Sequence, residues 1–558
     1  MYKLFQLLNN KQKKNLIIIF FLMIIVSFLD TLSLSSIIPI LKIIFDGSIN
    51  NNFFNKVVSQ AEDSFGLNSK YYFIAITLFV FLFKNIFLYI QTKFVANFML
   101  FLSVDQQRQT FEKYISKKYY EMKKEETSSL LRNVNQESKL ITSSFLGPLL
   151  TFFINLTTII FISIFLLLYN FKITLPIIIT SILFFALINK LYKKILENFG
   201  LKRQQYSKDT LKSIKETFDG YRELTIYNKL DFYLENFSNK ITRLANMGTQ
   251  RAIISVIPKI FLEIFLILSI CLILFATIYN EKNIDNMIID LSIYLLASLR
   301  LLPTLISLIS SFQKMNYSKA SLDLIYNILK SNPKNIILPT NEKKIIFNDS
   351  LKIQNLSFRY DDKIIFNNFN LIIPKNSFIG IQGESGCGKS TLIDLISGIT
   401  NPDSGQILID QRSIYNNLNS YRLLIGYLQQ KIFIFNKSIT SNITLEDDIS
   451  KIDKKEFNNL INFCGLETFI DNFQTKENTL LGEFGNNISG GQVQRIGLAR
   501  ALYRKPKILL IDEGLNNLDE TNKKLILQRL VKLKDKTTII YVSHDVEDLN
   551  YCDSVVTL

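Results

Sequence analysis

Six apolar runs, near 16–42, 71–99, 141–169, 172–197, 253–280 and 286–312, fill the first three-fifths of the chain. A helix needs about 20 apolar residues to cross a hydrocarbon core, and each run meets that length. Backbone groups in lipid have to pair within their own segment, so the runs predict six membrane-spanning helices. The pattern changes near 350. Segment 351–360 (LKIQNLSFRY) alternates like a strand, 378–383 and 507–513 are short apolar strands, and 391–399 reads as an apolar helix. The expected architecture is a membrane α-helical domain over 1–330, a linker over 331–349 and an α/β domain over 350–558.

Charge adds the topology. The 558 residues carry a formal net charge of +16. In a soluble protein that excess would suggest nucleic acid, but here Lys and Arg concentrate in 1–15, 100–140, 198–252 and beyond 313, outside the apolar runs. Segments 46–70, 170–171 and 281–285 are not rich in them. The positive-inside rule then puts both chain ends in the cytoplasm of a multi-pass protein, with no nucleic-acid partner expected. The two long cytoplasmic segments read as helical extensions of the spans, turning at short coupling helices near 119–127 and 217–227. In the outer segment, Phe53, Phe54, Val57, Val58, Ala61 and Phe65 make one apolar face. A short helix near 52–65 follows, lying either on membrane lipid or on the ends of the spans. The first apolar run is too long for a signal-peptide core and reads as a retained span. Four cysteines without metal or disulfide spacing fit a reducing cytoplasm.

Strand 378–383 (FIGIQG) runs into GESGCGKS at 383–390 and then into the apolar helix. This is a phosphate-binding loop in the setting it requires, and it marks the second domain as an α/β P-loop NTPase. Gly383, Gly386 and Gly388 let the backbone wrap a phosphate, while Glu384, Ser385 and Cys387 complete the loop. Backbone N–H groups and the helix N-terminus face the anion. Lys389 is placed to reach the β- and γ-phosphates of ATP, and Ser390, followed by Thr391, to ligate Mg²⁺.

Further motifs follow in order: IGYLQQ at 425–430, ISGGQ at 488–492 with a helix after it, KILLIDE at 507–513, NNLD at 516–519, and TTIIYVSH at 537–544, which ends in the chain's sole histidine. This order resembles the ABC ATPases over all of 345–558. The resemblance implies that Tyr360 stacks on adenine. It makes Gln430 a contact to Mg²⁺ and a sensor of the membrane domain, with Gln429 competing and alignment on Ile425 and Gly426 favouring Gln430. Asp512 would hold Mg²⁺ through water, Glu513 would activate the attacking water, and His544 would clasp the γ-phosphate. Ser489, Gly490, Gly491 and Gln492 form the signature, in which Ser489 and Gly491 contact the γ-phosphate held by another subunit, and Asp519 packs across the dimer interface. One P-loop and one signature per chain imply two copies or a partner chain, and the presence of both Glu513 and His544 favours a homodimer. Two departures stand out: Ile488 replaces the usual Leu, and GLNN at 514–517 replaces the usual ATSA.

A membrane domain followed by an ATPase domain on one chain resembles the ABC exporters. Three cations fall within or beside the spans: Lys84 and Arg300, each about 20 Å below the outer end of its span at 1.5 Å per residue, and Lys259 on the cytoplasmic side. Ionisable groups in spans usually line a path, which points to an anionic substrate, unless they pair with Asp30, Glu263 or Asp290. IPKIFLEI at 257–264, LRLLP at 299–303 and SLDLIYNIL at 321–329 look like the lipid-linked-oligosaccharide flippases of bacterial protein glycosylation (PglK type). That resemblance implies a polyprenyl-pyrophosphate oligosaccharide moved from the cytoplasmic to the outer leaflet of the bacterial inner membrane. An exporter of lipid A-like lipids or amphipathic drugs shares every ATPase motif. A soluble ABC ATPase acting on DNA is opposed by the six spans, and an ATP-binding regulator by the presence of both Glu513 and His544.

Overall fold

The computed structural model describes residues 2–37, 40, 69–279, 284–331, 345–361, 363–482 and 488–558. The outer segment near 52–65, and most of the linker at 331–349, lie outside the described residues. Contacts divide the chain into two units, Met1–Lys117 with Met122–Lys334, and Asn335–Leu558 with Lys118–Glu121.

The first unit is helical: α1 (Tyr2–Leu7), α2 (Asn10–Ser35), α3 (Ser69–Ile115), α4 (Thr127–Tyr169), α5 (Phe171–Asp219), α6 (Leu230–Tyr279) and α7 (Ile284–Lys330). Helix α2 starts on a capping box, in which Asn9 accepts from the Gln12 N–H and the Gln12 side chain returns to the Asn9 N–H. Among the described residues, α2, α3, α4, α5 and α7 are long and apolar enough to cross a membrane, and α6 is the sixth long helix. The 47 residues of α3 extend about 70 Å, more than twice a hydrocarbon core of about 30 Å, so the helix continues into water. Short helices at Tyr119–Lys123 and Tyr221–Ile226 fall where the coupling turns are expected.

Within α4 the segments Arg132–Glu137 and Ile141–Leu146 are wound as π-helix. The first ends on Glu137, which is fully buried and accepts from Arg203 Nη2 on α5 at 2.8 Å and from Gln204 Nε2 at 3.1 Å. Arg203 also donates to Ser321 Oγ on α7 at 3.0 Å, so one buried polar knot ties three helices together. Around it, Ile19, Met23, Leu102, Leu146, Leu150 and Ile325 form an apolar core.

The second unit carries two sheets. An antiparallel sheet has the order β2 (Lys363–Pro374), β1 (Ser350–Tyr360), β4 (Ser404–Ile409), β5 (Arg412–Ser413). A parallel sheet has the order β6 (Ile425–Leu428), β7 (Ile508–Asp512), β8 (Thr538–Val542), β3 (Phe378–Gln382), β9 (Ser554–Thr557). Strands β7 and β8 are buried along their whole length, as expected of a parallel sheet covered on both faces. Three helices flank it: α8 (Lys389–Ile396), α9 (Gly490–Tyr503) and α10 (Glu520–Leu533).

Candidate functional site

Strand register assembles the site. Ile381 of β3 stands opposite Val542 of β8, Val542 opposite Asp512 of β7, and Ile511 of β7 opposite Leu428 of β6. The P-loop, the Asp512-Glu513 pair, the Ser543-His544 pair and Gln429-Gln430 all leave the sheet just beyond these residues. They therefore gather at the carboxyl edge of one parallel sheet, the usual ligand crevice of an open α/β fold.

The P-loop bends at Gly386 (φ +86°) and Gly388 (φ +111°), and α8 begins at Lys389. A Cβ on Gly388 would sit 2.6 Å from Ile365 Cγ2, so glycine is required there for both conformation and space. Lys389 is buried, and its Nζ donates to the Gly383 and Glu384 carbonyls at 2.8 and 2.9 Å. The ammonium is thus held over the loop that the spacing assigns to phosphate. Thr391 is buried in the first turn of α8, Glu384 and Ser385 are exposed at the tip, and the Cys387 sulfur packs at Gly383. Tyr360 ends β1, edge-on to Phe358 with ring centres 4.9 Å apart.

Asp512 is buried at the end of β7, with its carboxylate hydrogen-bonded to Ser390. Burial raises its pKa and the Glu513 charge adds to the rise; the Ser390 hydrogen bond and the Lys389 charge oppose it. A carboxylate held where its charge is disfavoured suits a cation, and Ser390 and Gln430 add hard oxygen donors, so these residues fit Mg²⁺. Gln430 Nε2 donates to Glu513 Oε2 at 2.7 Å. Glu513 has φ +50°, a left-handed conformation that costs a non-glycine residue about 1 kcal/mol, and its N–H is held by the Val542 carbonyl at 3.2 Å.

His544 is exposed, in a loop fixed from below. Buried Asp548 accepts from Tyr541 Oη at 2.8 Å and Ser543 Oγ at 3.2 Å, and Lys523 of α10 bridges Asp548 at 2.7 Å and Asp545 at 3.0 Å. Sequence reasoning missed this clamp, because nothing in the spacing links Lys523 to the residues on either side of His544. Ser489 caps α9 with Gln492 in a capping box, and Gly490 and Gly491 lie against Asn517 and Leu518. Only the first residue of the GLNN departure has a steric reason: a Cβ on Gly514 would stand 2.4 Å from Leu428 Cγ. Asp519 caps α10 through the Asn522 N–H, and bonds from Thr521 and Asn522 pull its pKa down to about 2.

In the membrane unit, Lys84 is buried and contacts Asp30 Oδ1, while Arg300 Nη2 lies 3.4 Å from the same oxygen. Lys259 is exposed, 3.8 Å from Glu263 one turn away. The sequence reading left two alternatives, cations lining a substrate path or cations paired with Asp30, Glu263 or Asp290. In the structure two of them share one carboxylate, because an unpaired charge is costly inside a bilayer. A separate cavity of about 430 Å³ lies among α4, α5, α6 and α7 and is lined by Phe152, Ile160, Ile178, Phe185, Leu262 and Leu302, among others.

A P-loop, an acidic pair, a glutamine and a histidine at one sheet edge, on a chain that also carries long apolar helices, define an ATP-driven membrane transporter. The ABC transporter transmembrane region model matches 16–302, and the ABC transporter model matches 366–516. A Rickettsia bellii protein, named by inference as an export ATP-binding/permease protein, is 30% identical over 77% of this chain and 74% of its own length. The alpha-hemolysin translocation ATP-binding protein HlyB of Proteus vulgaris is 36% identical over 38% of this chain and 30% of its own. The fold matches a bacterial Atm1-family ABC exporter with ATP bound at TM-score 0.81 and 19% identity, over 99% of this chain and 94% of that one. The chain belongs to the ABC transporter family. It is an exporter half-transporter that binds ATP and couples its hydrolysis to transport.

Proposed function

We propose that this transporter flips a polyprenyl-pyrophosphate-linked oligosaccharide from the cytoplasmic to the outer leaflet of a bacterial inner membrane, for glycan or glycoprotein synthesis. The observation that carries the reading is the Asp30, Lys84 and Arg300 group, two cations on one carboxylate within the spans. An anionic headgroup has reason to enter there, and an uncharged solute has none. The cavity among α4, α5, α6 and α7 supports a hydrocarbon tail. Several of its hydroxyls are engaged with protein: Thr174 donates to the Leu166 and Asn170 carbonyls, Ser181 to Ile177 and Ser298 to Leu295. The resemblance of segments 257–264, 299–303 and 321–329 to oligosaccharide flippases points the same way.

In this reading both chain ends are cytoplasmic, the short helices at Tyr119–Lys123 and Tyr221–Ile226 are the coupling helices, and two copies pair so that Ser489 and Gly491 of one face ATP on the other. Lys389 and the P-loop amides hold the phosphates. Glu513, steadied by Gln430, takes a proton from the attacking water, and His544 orients the γ-phosphate. Ser390, Asp512 and Gln430 would hold Mg²⁺, which neutralises phosphate charge when bound. Positioning and charge neutralisation are the main requirements of phosphoryl transfer.

The test is flipping of a polyprenyl-pyrophosphate oligosaccharide in proteoliposomes, comparing wild type with Glu513→Gln. ATP-dependent movement by wild type alone supports the reading. ATP hydrolysis without any movement of this lipid ends it, and an exporter of other lipids or amphipathic drugs then leads.

A further inference from the structure

The two cations on Asp30 are not equivalent. The Lys84 side chain is 5% exposed and in tight contact with Asp30 Oδ1, and its ammonium also faces the Phe81 ring at 5.7 Å. The Arg300 side chain is 40% exposed and stands 3.4 Å from the same oxygen. That oxygen receives no aligned hydrogen bond. One carboxylate cannot fully satisfy both cations, and among the described residues the three groups sum to one net positive charge. Breaking the Lys84 contact would strand an ammonium in a dry site, a large penalty. Breaking the Arg300 contact leaves a half-exposed guanidinium, whose planar fork suits phosphate oxygens.

We propose that Asp30 is a resident counter-ion that sets which headgroup charge this transporter accepts: it neutralises Lys84 permanently and yields Arg300 to a phosphate-type anion on a lipid. This rests on the reading of the chain as a carrier of a lipid with an anionic head. Lys84 then anchors Asp30, and Arg300 is the group that meets the ligand. Asp30 touches no ligand; it is a positioning residue that competes for Arg300. The competition gives a sign: removing the carboxylate charge strengthens anion binding, whereas a purely structural ion pair would lose function on neutralisation.

The full-length transporter, reconstituted in proteoliposomes, is assayed for ATPase stimulation by farnesyl pyrophosphate, farnesol and inorganic pyrophosphate. The variants are Asp30→Asn, Asp30→Glu and Arg300→Gln; the last leaves the Lys84–Asp30 pair intact and covers a folding failure of the first. Farnesyl pyrophosphate is expected to stimulate wild type. Asp30→Asn lowers its half-maximal concentration about ten-fold, the scale of one charge-assisted hydrogen bond, and Asp30→Glu restores the wild-type value. Arg300→Gln makes farnesyl pyrophosphate no better than farnesol. Stimulation by inorganic pyrophosphate alone would assign the site to a free anion and overturn the lipid part. Weaker anion response in Asp30→Asn, or equal shifts for farnesol and farnesyl pyrophosphate, overturns the counter-ion role. If the oligosaccharide lipid is flipped equally by all variants, the flippase reading stands and this inference fails. If the anion effects appear but that lipid is not moved, the counter-ion stands and the flippase reading fails.

Discussion

Gln430 Nε2 holds Glu513 Oε2 at 2.7 Å across 83 residues of sequence, so the glutamine steadies the carboxylate at the mouth of the site. Glu513→Gln keeps that spacing and removes the base. Steady-state ATPase should fall by a factor of about 100 or more, the usual worth of a general base, while ATP binding persists. Gln430→Ala frees Glu513 and should lower kcat more than it changes the KM for ATP. ATPase kinetics beside a nucleotide-binding assay would separate the two effects, and full activity in Glu513→Gln would refute the assignment.

Asp512 ionises against burial, so its folded pKa lies above the ordinary 3.8. The unfolded chain then gives up this proton first, and the native state loses stability as pH rises from 3.8 through the raised folded value. At neutral pH without Mg²⁺, Asp512→Asn should raise the thermal midpoint while it abolishes ATPase activity. Added Mg²⁺ and ATP should narrow the gap by stabilising only wild type. A lower midpoint for the variant without Mg²⁺ contradicts this account.

Lys523 clamps the His544 loop through Asp545 and Asp548. Lys523→Met leaves buried Asp548 without its cation and loosens the loop. Misplacing His544 by a fraction of an ångström should cost about ten-fold in kcat with little change in nucleotide affinity. Unchanged kcat would show that the loop holds itself.

The Glu137–Arg203 pair ties α4 to α5, with side chains 0% and 12% exposed. Glu137→Ala or Arg203→Ala strands a buried charge and should cost about 3–5 kcal/mol. The double variant Glu137→Gln with Arg203→Met strands none and should be milder. Thermal midpoints in detergent will rank the three, and a double variant worse than both singles would argue against this origin of the penalty.

The long apolar helices and the P-loop domain that follows them were legible in the sequence, because each is a local pattern. About 20 apolar residues are set by bilayer thickness, and a strand–glycine loop–helix is set by the backbone's approach to phosphate. What the sequence could not supply is which distant residues meet. The strand order β6-β7-β8-β3-β9 aligns Leu428, Ile511, Asp512, Val542 and Ile381, and that register alone brings Gln430 to Glu513. Likewise, the cations at 84 and 300 were visible from composition. Only helix packing decided that Asp30 on α2 serves both, since a charge in a low-dielectric interior takes whichever opposite charge the fold brings within reach.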